Sequence, residues 1–125
     1  MLNEASILSN KTTIGDIARI RAFLKDDLHL VGLFGSVLWK PLSETNDIDI
    51  ALFCNKNQMQ FISKRLCHLD LLQPIRQIKF SYGGGGGDKV LLPINKSYDI
   101  VILDSANPDK RFMKINSNRM FEIPN

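Results

Sequence analysis

No apolar run in this chain approaches the ~20 residues that a membrane-spanning helix needs, and the opening MLNEASILSN carries neither the basic stretch nor the apolar stretch of an export signal. These absences predict a soluble, cytoplasmic protein with no membrane partner. Cysteine is scarce: the chain has 2, Cys54 and Cys67. They lack both metal-ligand spacing and an export context, so reduced thiols in the core are expected rather than a zinc site or a disulfide. Aromatic residues make up only 8% of the chain, and Lys and Arg are scattered without a long block of one sign. A general nucleic-acid-binding domain, which needs clustered cations interleaved with aromatics, is therefore disfavoured. The single tryptophan, Trp39, is expected to pack against the domain rather than to stack on a base.

What remains is ordinary for a globular protein. The chain has 125 residues, 44% hydrophobic and 23% charged, which suits one domain spanning 1–125. A net charge of +3 hints at an anionic ligand. Ile17, Ile20, Leu24 and Leu28 recur at helical spacing, and Thr13 with Asp16 forms a capping pair, so a helix is expected over 14–28. HLVGLF (29–34) reads as a buried strand ending in a tight turn at Gly35-Ser36. SVLWK then reads as a short helix stopped by Pro41. NDIDIALFC reads as a strand, and the spacing of Met59, Ile62, Leu66 and Leu69 gives a helix ended by Pro74. Strand-like runs follow at 75–82, 89–94 and 98–103, with the glycine run Gly83 to Gly87 read as a flexible hairpin tip rather than a phosphate loop. The last segment reads as turn and short helix. The order is helix, strand, helix, strand, helix and a meander of strands: an α+β domain.

Chemistry concentrates in residues 32–53. Along the strand NDIDIALFC, Asp47, Asp49, Ala51 and Phe53 share one face, and Ile48, Ile50, Leu52 and Cys54 share the other. Two carboxylates on one strand face need a positive partner, and hard oxygen ligands suit Mg²⁺. Gly35 allows a sharp turn, and Ser36 offers a hydroxyl and a backbone N–H where a phosphate could be received. A third carboxylate would complete a two-metal site. The candidates are Asp70, Asp99 and Asp104. Asp99 is preferred because it opens the apolar β-branched run YDIVIL, whereas Asp70 falls in a helical stretch and Asp104 on the opposite strand face. His29 and His68 have no partner at ligand spacing.

Gly35-Ser36, ten intervening residues, then Asp47-Ile48-Asp49 resembles the signature of the nucleotidyltransferase superfamily that includes DNA polymerase β, and the length is similar to its minimal members. The resemblance implies the nucleotidyltransferase fold, a small mixed sheet flanked by helices. It implies that Asp47, Asp49 and Asp99 hold two Mg²⁺, with Asp99 helping to deprotonate an acceptor hydroxyl, and that Gly35 and Ser36 hold the phosphates of a nucleoside triphosphate. Lys40 stands where the family has a glycine, and would bring its own charge to the phosphates. The implied reaction is transfer of a nucleoside monophosphate, AMP from ATP, to a hydroxyl. The implied acceptor is a HEPN-type toxin for which the chain is the antitoxin. The alternatives are an inactive antitoxin or binding module of the same fold, and a small-molecule nucleotidyltransferase.

Overall fold

The two strands with the longest apolar runs take interior positions in the sheet. The computed structural model describes residues 4–39, 47–80, 97–116 and 119–123. In chain order the elements are α1 (Glu4–Ser9), α2 (Lys11–Leu24), β1 (Leu28–Phe34), β2 (Asp47–Cys54), α3 (Met59–Leu66), β3 (Ile75–Phe80), β4 (Ser97–Asp104), α4 (Lys110–Asn116) and β5 (Phe121–Glu122). Short 3₁₀ turns at Lys25–Asp27, Gly35–Leu38 and Lys56–Gln58 join several of them. The α+β class expected from the sequence is the one observed. Among the described residues no helix is long and apolar enough to cross a membrane.

The five strands form one mixed sheet in the order β3-β4-β2-β1-β5. β1 runs antiparallel to β2 and to β5, while β2 and β3 both run parallel to β4. The expected meander is thus corrected, because parallel neighbours require crossovers rather than hairpins. β2 returns to β3 through α3, and β4 inserts between them. The glycine run and the strand read at 89–94 lie outside the described residues. β5 was not anticipated: two residues are too few to show a period, and its pairing with Gly32 and Leu33 defines it.

The sheet's two faces differ. Ile48, Ile50, Leu52, Ile100 and Ile102 are fully or almost fully buried on one face, against Ile17, Ile20 and Leu24 of α2 and Ile62 and Leu66 of α3. On the other face Ala51, Phe53, Val101 and Leu103 form a smaller cluster under Phe34, Phe112 and Met120. Phe34 and Phe112 meet edge to face, with ring centroids 5.0 Å apart. That second cluster covers only the C-terminal halves of β2 and β4, and the carboxylates occupy the N-terminal halves.

Three helix boundaries and one cap differ from expectation. α2 begins at Lys11 because Asn10 supplies the cap, its Oδ1 accepting the Thr13 N–H at 2.9 Å. It stops at Leu24, where Lys25 takes a positive φ of 47°, and Leu28 already belongs to β1. α3 ends at Leu66, eight residues before Pro74, so Asp70 lies in irregular chain rather than in a helix. Asp16, read as a cap partner, is instead fully buried. Its Oδ1 accepts the Leu72 N–H at 2.8 Å, and its Oδ2 accepts the Gln73 N–H at 3.0 Å and the Tyr98 hydroxyl at 2.6 Å. Burial, and then the hydrogen bond to Asp16, push the Tyr98 hydroxyl pKa well up. Cys54 is buried as expected but Cys67, one residue past the end of α3, is exposed.

Asp16 therefore fastens the segment that leads into β3 to both α2 and β4. Asp16→Ala leaves the buried Gln73 N–H, the part-buried Leu72 N–H and the Tyr98 hydroxyl without their acceptor, and is expected to cost about 3 kcal/mol in urea unfolding, against about 1 kcal/mol for Tyr98→Phe. A loss from Asp16→Ala no larger than that from Tyr98→Phe would show that the loop finds other partners.

Candidate active site

β1 and β2 are paired so that Phe34 faces Asp49, which puts the next residue, Gly35, against the Asp49 carboxylate. Gly35 has φ +76°, and a Cβ there would collide with Asp49 Oδ2. Glycine is required twice over, for the left-handed backbone and for the close approach of the turn to the carboxylate. The 3₁₀ turn Gly35–Leu38 is anchored by buried Val37 and Leu38 and leaves Ser36 exposed. Since those two side chains do the anchoring, Trp39 is left 54% exposed rather than packed as expected.

The parallel pairing of β2 with β4 sets Asp47 opposite Ser97 and Asp49 opposite Asp99. Asp47, Asp49 and Asp99 thus share one face of two neighbouring strands. The Ser97 hydroxyl donates to Asp47 Oδ1 at 3.1 Å. Of the other candidates for a third carboxylate, Asp104 sits at the far end of β4 opposite Cys54, where its Oδ1 accepts the Ala106 N–H. Asp70 lies between α3 and β3, and its carbonyl accepts from Arg19. Only Asp99 lies beside the pair on β2. Lys40 lies outside the described residues.

Ser97 and, more consequentially, Arg76 escaped sequence reasoning. Arg76 donates from Nε to Asp99 Oδ1 at 2.9 Å and from Nη2 to Asp99 Oδ2 at 2.6 Å, and its Nη1 lies 3.3 Å from Asp47 Oδ2. A fork of this kind is the strongest geometry open to arginine and carboxylate. Its hydrogen bonds to Asp99, and the neighbouring Asp47 and Asp49 carboxylates, hold the guanidinium pKa above its ordinary value. The register of β3 on β4 shifts between Ile75 and Gln77, which pair with consecutive residues Tyr98 and Asp99. Arg76 is the extra residue of this β-bulge, and the bulge brings its side chain to Asp99. A signal was present: Ile75, Ile78 and Phe80 all pack on the main core, and the three-residue step from Ile75 to Ile78 breaks strand alternation.

Among the described residues, no hydrogen-bond donor reaches the Asp49 carboxylate. Burial pushes its pKa up to about 6, helped by the Asp99 and Asp47 carboxylates and opposed by Lys79 and Arg76. The donor set is chemically suited to a hard divalent cation, since three carboxylates share a face and Asp49 lacks a counter-charge in contact among the described residues. As the side chains stand, however, no group of three or more His, Cys, Asp or Glu among the described residues is gathered to hold a metal. The cation present is the Arg76 guanidinium.

A raised carboxyl pKa means that the folded protein binds more protons than the unfolded chain between the ordinary Asp value of 3.8 and about 6. The stability linked to Asp49 is thus complete below the lower value and is lost as pH rises through the upper one. In EDTA, Asp49→Asn should gain on the wild type by about 1 to 2 kcal/mol between roughly pH 4 and pH 7, a figure discounted for solvent screening. Urea unfolding across that range checks it, and a pH-independent difference would mean that Asp49 titrates normally. Comparison of the chain with protein-family models, curated proteins and solved structures gives no match to any of them.

Proposed function

We propose that this protein is a Mg²⁺-dependent nucleotidyltransferase of the polymerase β-like fold, moving AMP from ATP to a hydroxyl on a partner protein. One observation carries the reading: Asp49 and Asp99 lie abreast on parallel strands while the Gly35 turn presses on Asp49. This chemistry needs carboxylates beside a turn that can receive phosphate, and the reading is supported by the contact of Gly35 with Asp49, 14 positions on, and by the pairing of Asp49 with Asp99, 50 positions further. Asp47, Asp49 and Asp99 would hold Mg²⁺, which supplies neutralisation of the triphosphate and of the charge that develops at the α-phosphorus. Gly35 and Ser36 orient the β and γ phosphates. Asp99 helps to take the proton from the acceptor hydroxyl, whose oxygen bonds to the α-phosphorus as the bond to the β-phosphate oxygen breaks and pyrophosphate leaves. A HEPN-type toxin is the acceptor we favour, and exposed Trp39, three residues beyond Ser36, offers such a partner an apolar contact.

A binding-only antitoxin of the same fold is the second reading. The fork of Arg76 on Asp99, with its third nitrogen near Asp47, favours it, because those carboxylates are already neutralised.

Incubation with labelled ATP, Mg²⁺ and a co-expressed HEPN-type protein separates the two. Transfer predicts an added AMP mass on the partner, lost in Asp49→Asn and Asp99→Asn and kept within a few-fold in Asp70→Asn and Asp104→Asn. A partner that is neutralised without being modified would favour the binding-only reading.

A further inference from the structure

Arg76 has no part in the reaction as proposed, yet it is the best-paired charge at the site. Two of its nitrogens bond both oxygens of Asp99, whose side chain is only 14% exposed, and the third faces Asp47. Its own side chain is 32% exposed, so it has solvent to swing into. The backbone beneath it has no such freedom. The Pro74 carbonyl accepts the Tyr98 N–H at 2.8 Å, and Asp16 holds the Leu72 and Gln73 N–H groups. Any movement of the guanidinium is therefore a side-chain rotation on a fixed strand.

We infer that Arg76 is a built-in competitor of the divalent cation, neutralising Asp47 and Asp99 in the metal-free protein and swinging away when metal loads. This rests on the reading of those aspartates as metal ligands. Three considerations lead to it. A carboxylate oxygen already accepting a short charge-assisted hydrogen bond is a poor ligand until that bond breaks. Both Asp99 oxygens are so engaged, which agrees with there being no metal-ready group among the described residues. The bulge at Arg76 gives up regular pairing and delivers the fork to these carboxylates. Metal affinity is thus set by the cost of releasing Arg76.

Mn²⁺ binding to the chelator-treated full chain, counted from the electron paramagnetic resonance of free Mn²⁺, tests this without reference to turnover. Arg76→Gln should bind Mn²⁺ roughly tenfold tighter than wild type, since it forfeits hydrogen bonds to charged groups that the metal must otherwise break. Arg76→Lys, which keeps the charge without the fork, should fall between. In the wild type the Arg76 Nε–H resonance should shift and exchange faster as Mg²⁺ is added. This measurement decides alone if circular dichroism shows Arg76→Gln unfolded. Equal or weaker Mn²⁺ binding by Arg76→Gln, or an unmoved Nε–H signal at metal saturation, overturns the competition while leaving the metal site standing. Absence of binding in every variant with an unmoved signal overturns both.

Discussion

Like charge on neighbouring strands is the constraint on which this site turns. Parallel strands lie about 4.8 Å apart, and the register of β2 on β4 puts Asp49 abreast of Asp99 with Asp47 two residues away. In a half-buried setting such carboxylates resist ionising together unless a cation or a proton relieves them. Arg76 engages Asp99 and Asp47, while burial, reinforced by the neighbouring Asp99 and Asp47 carboxylates, pushes the Asp49 pKa up. An arrangement that costs stability in the absence of a ligand is a common mark of a functional site.

The rest of the fold serves to hold that register. The apolar faces of β2 and β4 sit on α2 and α3, so a slip by one residue would turn Asp47, Asp49 and Asp99 into the core and Ile48, Ile50 and Ile100 out of it. At the carboxylate end, Tyr98 lies on the core face next to Asp99, and its hydroxyl ends on Asp16. That buried carboxylate also fixes the chain entering β3, and hence the bulge that carries Arg76. The link from α2 through Tyr98 to the site is a chain of direct contacts.

The sequence made the face assignments on β2 legible, because DIDI alternates carboxylate with isoleucine and the period carries on through ALFC, which is apolar on both faces. The apolar run after Asp99 likewise pointed to a strand beside β2. Other features were hidden for physical reasons. Parallel and antiparallel pairing use the same residue types, so the meander could not be told from a mixed sheet. Asp16 carries the same letter whether it caps a helix or is buried, and its partners Leu72, Gln73 and Tyr98 are at least 56 residues away. Arg76 reaches the site through a one-residue bulge, which strict alternation misreads, although the spacing of Ile75, Ile78 and Phe80 recorded it. Asn10, only three residues ahead of Thr13, could have been recognised as the better cap.

The central claim, that the three aspartates form a cation site facing the Gly35 turn, is tested most directly by crystals grown with Mn²⁺ and a non-hydrolysable ATP analogue, using Mn²⁺ as a hard-oxygen stand-in for Mg²⁺. The account predicts an anomalous manganese peak bonded to Asp49 and to at least one of Asp47 and Asp99, with Arg76 turned off Asp99 and the triphosphate on the Gly35-Ser36 turn. Carboxylates free of manganese and still forked by Arg76, with both ligands present in excess, would contradict it.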